Sequence, residues 1–478
     1  MNYRMVGYVL GMLLMFEGIF MAAPILTAAI YGESELSVFI GVALFCIGIG
    51  ILTSKLCRPK TKTMFAREGY LIVAFSWILL SICGALPFVI SGAIPSFIDA
   101  LFESVSGFTT TGATILGDVE SLPKSILMWR SFTHWFGGMG VLVFIMAFIP
   151  LSGGQNMYIM KAESPGPSVG KLVPRIKTTA LILYSMYLAL TVLEFILLAA
   201  GDMNIFEAIN TAVATAGTGG FGVKNNSIGG FSSYTQIVVT VFMFLFSVNF
   251  TSFYLLLRGK FKEALNSEIK VFFGLSILAS VIIFLNTRSL YSGNAEALKH
   301  SVFTVGTIMS TTGFSTVDFN AWPEVSRSVI LLLMLIGACA GSTCGGFKIS
   351  RIIILFQSMI KELQILIHPR QVKKIKVDGR QVEHEIVRSV HVFLICYVLI
   401  LIISTFLLSF DGHDLITNFT AASTTLNNVG PGLEMVGPIS NFSVFSTSSK
   451  IVLIFDMLVG RLEIFPILLL FTPSTWKK

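Results

Sequence analysis

Charge is scarce in this chain. Only 12% of its 478 residues are Asp, Glu, Lys or Arg, whereas 54% are hydrophobic, and the mean hydropathy is +0.81. So apolar a composition excludes a soluble globular protein and identifies a polytopic membrane protein. Cysteine is also sparse. The six thiols, Cys46, Cys57, Cys83, Cys339, Cys344 and Cys396, sit mostly inside apolar runs and show no metal-ligand spacing. Cys339 and Cys344 have no histidine nearby and read as small packing residues rather than a redox pair. No basic patch is interleaved with aromatics, so the net charge of +7 implies no nucleic-acid partner. A small-residue cleavage site is lacking after the first apolar run, which is longer than the core of a signal peptide and is read as a retained first helix.

What is present is a series of ten apolar runs, near 5–31, 36–56, 69–90, 126–150, 178–200, 234–257, 270–287, 327–360, 387–409 and 447–472. Each approaches or exceeds the roughly 20 residues that a spanning helix needs. An even number puts both ends on one side, and the Lys/Arg bias assigns that side to the cytoplasm. Lys55, Arg58, Lys60, Lys62 and Arg67 fill the second connection, Lys161, Lys171, Arg175 and Lys177 the fourth, Arg258, Lys260 and Lys262 the sixth. Lys361, Arg370, Lys373, Lys374, Lys376 and Arg380 fill the eighth, and Lys477 and Lys478 end the chain. The opposite connections carry Glu33, Glu35, Asp118, Glu120, Asp318, Glu324, Asp411, Asp414 and Glu434. They predict an acidic outer mouth that concentrates cations.

One segment type occurs four times: a long apolar stretch, a shorter semi-polar stretch, a turn rich in Thr, Gly and Asn, then another long apolar stretch. The turns run 109–114, 217–222, 310–315 and 427–432, and each contains glycine. The stretches before them, 96–108, 203–216, 297–309 and 414–426, are too short to span and too apolar for ordinary loops, as expected of re-entrant half-helices. Phe102-Glu103, Phe206-Glu207, Phe303 and Phe419 mark similar places in these stretches. Polar backbone at membrane depth is tolerated only where protein buries it or it lines water, and rings of carbonyls replace the hydration shell of potassium. A half-helix ending at such a ring presents a partial negative charge to a cation. The expected fold is therefore an all-α polytopic membrane protein of ten transmembrane helices, with four helix–pore-loop–helix repeats around a central pore. The divisions are a peripheral helix pair at 1–57 and repeats at 68–155, 175–260, 268–360 and 385–478.

At these turns the chain resembles the TrkH/TrkG/KtrB family of potassium transport subunits, over essentially its whole length. Ser106 to Thr114 resembles the first pore loop, Trp129 to Gly140 the helix that follows, Ala340 to Lys348 the intramembrane gating loop, and Gly460 to Phe465 the last helix. The two additional N-terminal helices fit the Trk branch. The resemblance implies potassium uptake across the bacterial cytoplasmic membrane, with both termini inside. It further implies a homodimer on a cytoplasmic TrkA-like nucleotide-binding regulatory subunit, with no cofactor in this chain and potassium as the transported ion. Filter residues implied are Thr110, Thr111, Gly112, Thr218, Gly219, Gly220, Thr311, Thr312, Gly313, Asn428, Val429 and Gly430. Glycine at Gly112, Gly220, Gly313 and Gly430 favours potassium over sodium. The second turn is so rich in glycine that either Gly219 or Gly220 is its filter glycine.

The gate is expected in 337–346, where small residues interrupt the eighth run: Gly337, Gly341, Ser342, Thr343, Gly345 and Gly346 form a plug, with Arg461 just below the filter. A close-packed Gly-x-x-x-Gly helix is the alternative for that segment. Lys348 and Arg351 are placed near its cytoplasmic end, within reach of a regulator. Arg461 either faces the pore as a barrier or pairs with Asp456 or Glu463, neither of which lies one helical turn away. Glu17 faces other helices and is assigned no function. Other functional readings are a sodium-permeable or ion-coupled symporter of the same fold and, more remotely, an intramembrane Ser/His hydrolase using His134 with Ser131 or Ser342.

Overall fold

The computed structural model describes residues 2–59, 66–138, 140, 176–369 and 374–476. Apolar runs become helices because a backbone in lipid must satisfy its own N–H and C=O groups. In chain order the described helices begin with α1 (Tyr3–Phe20), α2 (Ala22–Tyr31), α3 (Leu36–Leu56), α4 (Ala66–Ile90), α5 (Phe97–Phe108) and α6 (Lys124–Gly138). There follow α7 (Ile176–Ala199), α8 (Ile205–Gly217), α9 (Ser233–Ser247), α10 (Phe250–Leu257), α11 (Phe261–Ala264), α12 (Ser267–Thr287) and α13 (Asn294–Met309). The last are α14 (Glu324–Ile336), α15 (Ile349–Ile367), α16 (His384–Leu408), α17 (Leu415–Leu426), α18 (Thr447–Arg461) and α19 (Phe465–Phe471). A two-stranded antiparallel hairpin, β1 (Lys376–Val377) and β2 (Arg380–Gln381), interrupts the helical pattern. Its Asp378-Gly379 turn, with φ of +51° and +75°, is a favoured hairpin pair.

Among the described residues six helical segments are long and apolar enough to cross a membrane, or seven if α9 and α10 form one bent span. Several of the ten expected runs are broken, and the breaks have local causes. α9 and α10 meet at 93° across Val248-Asn249. The 327–360 run is split into α14 and α15 by a loop over 337–348, and the 447–472 run breaks at Leu462-Glu463-Ile464, where Glu463 and Ile464 have φ of +54° and +67°. The 126–150 run lies outside the described residues beyond Gly138, apart from Gly140.

The half-helices α5, α8, α13 and α17 fall on the four semi-polar stretches. Counting back from the loop glycines, Phe102 and Phe303 occupy one equivalent place, which Asn210 and Thr420 hold in the other two units. Phe206 and Phe419 are therefore not their counterparts. The apolar core is divided: one cluster joins α1, α3, α4 and α5 to α16–α19, a second gathers around α7–α10, and a third around α12–α15. Buried polar residues lie between them; Thr109, Thr110, Thr111, Thr218, Ser310, Thr311, Thr312, Asn427 and Asn428 are all fully buried.

Candidate functional site

Each half-helix ends in the same backbone turn. The N–H groups of Thr111, Gly219, Thr312 and Val429 donate to Ser106, Ala214, Thr307 and Thr424 O at 2.9, 3.0, 2.9 and 2.9 Å. One residue earlier, Thr110, Thr218, Thr311 and Asn428 donate to Gly107, Thr215, Ile308 and Thr425 O at 3.1, 2.8, 3.1 and 3.2 Å. This pairing is the Schellman motif, whose left-handed residue is usually glycine. Here it is Thr110, Thr218, Thr311 or Asn428, with φ of 53–56°. The glycine comes two residues later, at Gly112, Gly220, Gly313 and Gly430, with φ of +79°, +76°, +91° and +103°. Gly219 occupies the place of Thr111, Thr312 and Val429, so Gly220 is the positional equivalent of the other three glycines.

The four loops close on one another in chain order. A Cβ on Gly112 would collide with Gly219 O, and one on Gly220 with Thr312 O. A Cβ on Gly313 would lie 2.6 Å from Val429 O, and one on Gly430 2.8 Å from Thr111 O, which completes the ring. All twelve loop residues named from the sequence are thus brought together. Within loops, Thr109 and Thr111 hydroxyls lie 2.8 Å apart and Ser310 and Thr312 hydroxyls 2.6 Å apart; between loops, Asn428 Nδ2 donates to Thr111 Oγ1 at 2.9 Å.

Behind the first two loops stand two buried residues of α6. His134 contacts Gly107 O through Nδ1 at 2.7 Å, and its Nε2 accepts the Phe221 N–H at 3.3 Å. Because Nε2 accepts, the proton resides on Nδ1. Arg130 forms a buried ion pair with Glu103 of α5 at 2.8 Å and lies 4.2 Å from the Phe221 ring centre. Glu103 also accepts from Thr114 Oγ1 at 3.0 Å and Ile115 N at 3.1 Å. The pair was not singled out from the sequence, although charges inside apolar stretches are the signal for it.

Beneath the ring lies the 337–348 loop. Gly337, Gly341 and Gly346 have φ of +73°, +73° and +82°, which rules out the close-packed helix alternative for this segment. Gly345 donates its N–H to Thr311 Oγ1 at 2.8 Å and packs without a side chain against Asn427 O. The break between α9 and α10 holds the other side: Cys339 N donates to Ser247 O at 3.3 Å, Phe250 N to Gly341 O at 3.1 Å, and Thr343 Oγ1 to Phe246 O at 3.2 Å. Ser342 Oγ donates to Cys339 O at 2.6 Å. Arg461 donates to Thr343 O at 2.9 Å, to Gly138 O at 2.8 Å and to Gly137 O, joining the loop to the end of α6. Glu463 pairs with Arg351, and Asp456 accepts from Ser404 Oγ at 2.7 Å. Lys348 and Arg351 are buried, at 2% and 4% exposure, the former on Cys344 O. Arg351 also donates to Phe347 O at 3.0 Å, so both residues brace the loop internally.

A family profile described as TrkH, cation transport protein, matches residues 36–478. The chain belongs to the TrkH family. It is 36% identical to the Trk system potassium uptake protein TrkH of Escherichia coli strain K12, with 100% of both chains covered. Identity to TrkG of the same strain is 34%, over 100% of this chain and 99% of that one. The crystal structure of the potassium transporter TrkH from Vibrio parahaemolyticus superposes with a TM-score of 0.90 at 33% identity, covering 100% of both. The family is one of cation transporters, not enzymes, which overturns the hydrolase alternative. His134 and Ser342 make the same point locally, since both are committed to backbone groups.

A cavity lined by all four loop glycines has, among the described residues, Arg130 and Lys224 as its charged lining. Asp118 and Glu120 bond Asn225 of the same lining. Other outer carboxylates serve as caps and clamps. Asp414 caps α17 by accepting Thr417 N at 2.9 Å, Glu33 accepts Lys124 and Ser125 N at 2.6 and 2.9 Å, and Asp411 accepts Ser446 N at 2.7 Å.

Proposed function

We propose that the chain is a potassium uptake subunit in which the four loops form a selectivity filter. The reading rests above all on the cyclic contact of each loop glycine with the carbonyl oxygen preceding the next one, which leaves no room for side chains between four backbones. Carbonyl rings of this kind replace water around a cation, and the half-helix ends supply partial negative charge. The filter residues are then Thr110, Thr111, Gly112, Thr218, Gly219, Gly220, Thr311, Thr312, Gly313, Asn428, Val429 and Gly430. Potassium is assigned because the relatives are potassium uptake proteins.

The 337–348 loop acts as the gate in this reading, with Arg461 as its tether. The naming of relatives as parts of a Trk system supports a cooperating regulatory subunit. We take it to be cytoplasmic and nucleotide-binding, and the chain to be a homodimer in the bacterial cytoplasmic membrane with both termini inside, as the Lys/Arg distribution favours. The test is cation flux through purified protein in liposomes, with and without a proton gradient. Potassium flux well above sodium flux is expected; equal sodium flux, or flux that requires the gradient, overturns the assignment in favour of a sodium-permeable or coupled transporter.

A further inference from the structure

We propose that Glu17, Cys46 and Cys83 form a binding site for a thiophilic divalent cation of the zinc class, separate from the potassium path. One carboxylate oxygen and the two sulfurs lie within 4.8 Å of one another, at the junction of α1, α3 and α4. Zinc with ligand bonds of about 2.0–2.3 Å holds neighbouring tetrahedral ligands roughly 3.5–4 Å apart, so side-chain rotation suffices to close the set. Glu17 is 2% exposed, and neither of its carboxylate oxygens has a hydrogen-bond partner among the described residues. An orphaned carboxyl between membrane helices is costly, and a cation held jointly with two thiols is the partner its surroundings lack.

The helix frame around the cluster is close-packed. A Cβ on Gly18, next to Glu17, would lie 2.7 Å from Ala43 O of α3, and one on Gly50 2.6 Å from Gly11 O of α1. Sulfur ligands select against potassium and magnesium and for zinc-like ions. Binding releases both thiol protons, and the ion's two charges against two thiolates and the Glu17 carboxylate leave one net negative charge at the site. Three protein ligands leave one position open, as in zinc sites that keep an exchangeable ligand.

Purified protein, reduced with a phosphine and freed of metal, is titrated with cadmium and with zinc. One equivalent of cadmium with a thiolate charge-transfer band, and a zinc-dependent rise in thermal midpoint, are expected. C46A/C83A should lose both responses while retaining potassium flux. E17Q should keep the band but bind at least roughly tenfold more weakly, the lower end seen when even an outer-shell partner is lost. Should the double variant misfold, C46S and C83S tested singly should each abolish the zinc-dependent thermal shift. A band that survives in C46A/C83A would place the metal at Cys339 and Cys344 or elsewhere and overturn the site. Absence of any band in the unmodified protein, unchanged affinity in E17Q, or an unchanged thermal shift in the single variants overturns it equally.

Discussion

The backbone N–H of Gly345 donates to the hydroxyl of Thr311 at 2.8 Å, so the loop beneath the ring is bonded directly to a side chain of the third loop. Thr311 is left-handed, with φ of +53°. That conformation costs a side-chain-bearing residue on the order of 1–2 kcal/mol, which glycine would avoid. Glycine has no hydroxyl, and the contact with Gly345 needs one. Thr311→Val should leave the buried Gly345 N–H unpaired, at a cost of about 1–3 kcal/mol. Basal potassium flux in liposomes should rise, and Thr311→Ser should restore the resting level. Unaltered basal flux in the valine variant would mean that this bond does not hold the loop closed.

The four ring glycines should not tolerate serine equally. An added Cβ would sit 2.0 Å from a backbone carbonyl oxygen of the adjacent loop at Gly112 and Gly220, against 2.6 and 2.8 Å at Gly313 and Gly430, so all four displace backbone and the first pair most. The higher φ at Gly313 and Gly430 adds strain of about 1–3 kcal/mol, but overlap with backbone can be relieved only by moving the ring itself. Gly112→Ser is therefore expected to abolish potassium selectivity or folding, and Gly313→Ser to relax discrimination against sodium while still conducting. Permeability ratios and detergent stability of the pair check the order; equal, wild-type ratios in both would remove these glycines from the filter.

How much of this was legible in sequence varies by element. The half-helices and turns were readable because a short semi-polar stretch followed by Thr and Gly has few other uses at membrane depth. The choice between Gly219 and Gly220 was not, since both lack a side chain and only backbone angles distinguish them. The break at Val248-Asn249 carries no glycine or proline and left no local signal, yet it cradles Cys339 and Gly341. The capping and clamping roles of Asp414 and Asp411 were not legible, because their acceptor bonds depend on which backbone N–H groups the fold brings to them. Glu17, Cys46 and Cys83 lie on three different helices, so no spacing rule could join them.

Arg461 spreads its guanidinium over carbonyls from two elements, Thr343 of the 337–348 loop and Gly137 and Gly138 at the end of α6. Hydrogen bonds to a charged donor contribute about 1.5–3 kcal/mol each, and losing them frees Thr343 from its anchor. Arg461→Ala should raise potassium flux severalfold, with Arg461→Lys intermediate because a lysine cannot span two elements with a planar fork. A fall in thermal midpoint without any gain in flux would assign Arg461 to packing alone.

The cap at Asp414 makes acid sensitivity testable. Burial pushes its carboxyl upward, but hydrogen bonds from the Thr417 side chain and backbone outweigh that and hold it below the ordinary carboxylate range. A depressed carboxylate stabilises the fold above its unfolded value, near pH 4, and that contribution disappears as pH falls through the lower, folded value. Asp414→Ala should cost about 1 kcal/mol at neutral pH, as for other N-caps, and less because the residue is exposed. The difference in thermal midpoint between the two proteins should shrink below pH 4. A gap that stays constant from pH 7 to pH 3 would show that the carboxylate charge has no part in the cap.

Glu268, at the start of α12, offers the sharpest test of the gate because it holds both ends of the loop through one oxygen. Its Oε1 accepts the N–H of Ala340 at 2.7 Å and that of Ser350 at 3.1 Å, and the residue is buried at 8% exposure. Deleting residues 338–345 would also open the loop, but it would remove the bonds of Cys339 and Gly341 to the α9–α10 break and confuse gating with collapse. Substitution at Glu268 touches the loop from outside. Glu268→Ala leaves the buried Ala340 N–H unpaired, at about 1–3 kcal/mol, and the half-buried Ser350 N–H as well, whereas Glu268→Gln keeps a weaker acceptor. The resting position should therefore lose at least about 1–3 kcal/mol in the alanine variant, which raises the population of an open loop without the regulator. Basal potassium flux should rise and its dependence on the regulatory subunit and nucleotide should fall, in the order Gln then Ala. A well-folded Glu268→Ala protein whose flux stayed low and fully regulated would show that residues 337–348 are a fixed part of the wall.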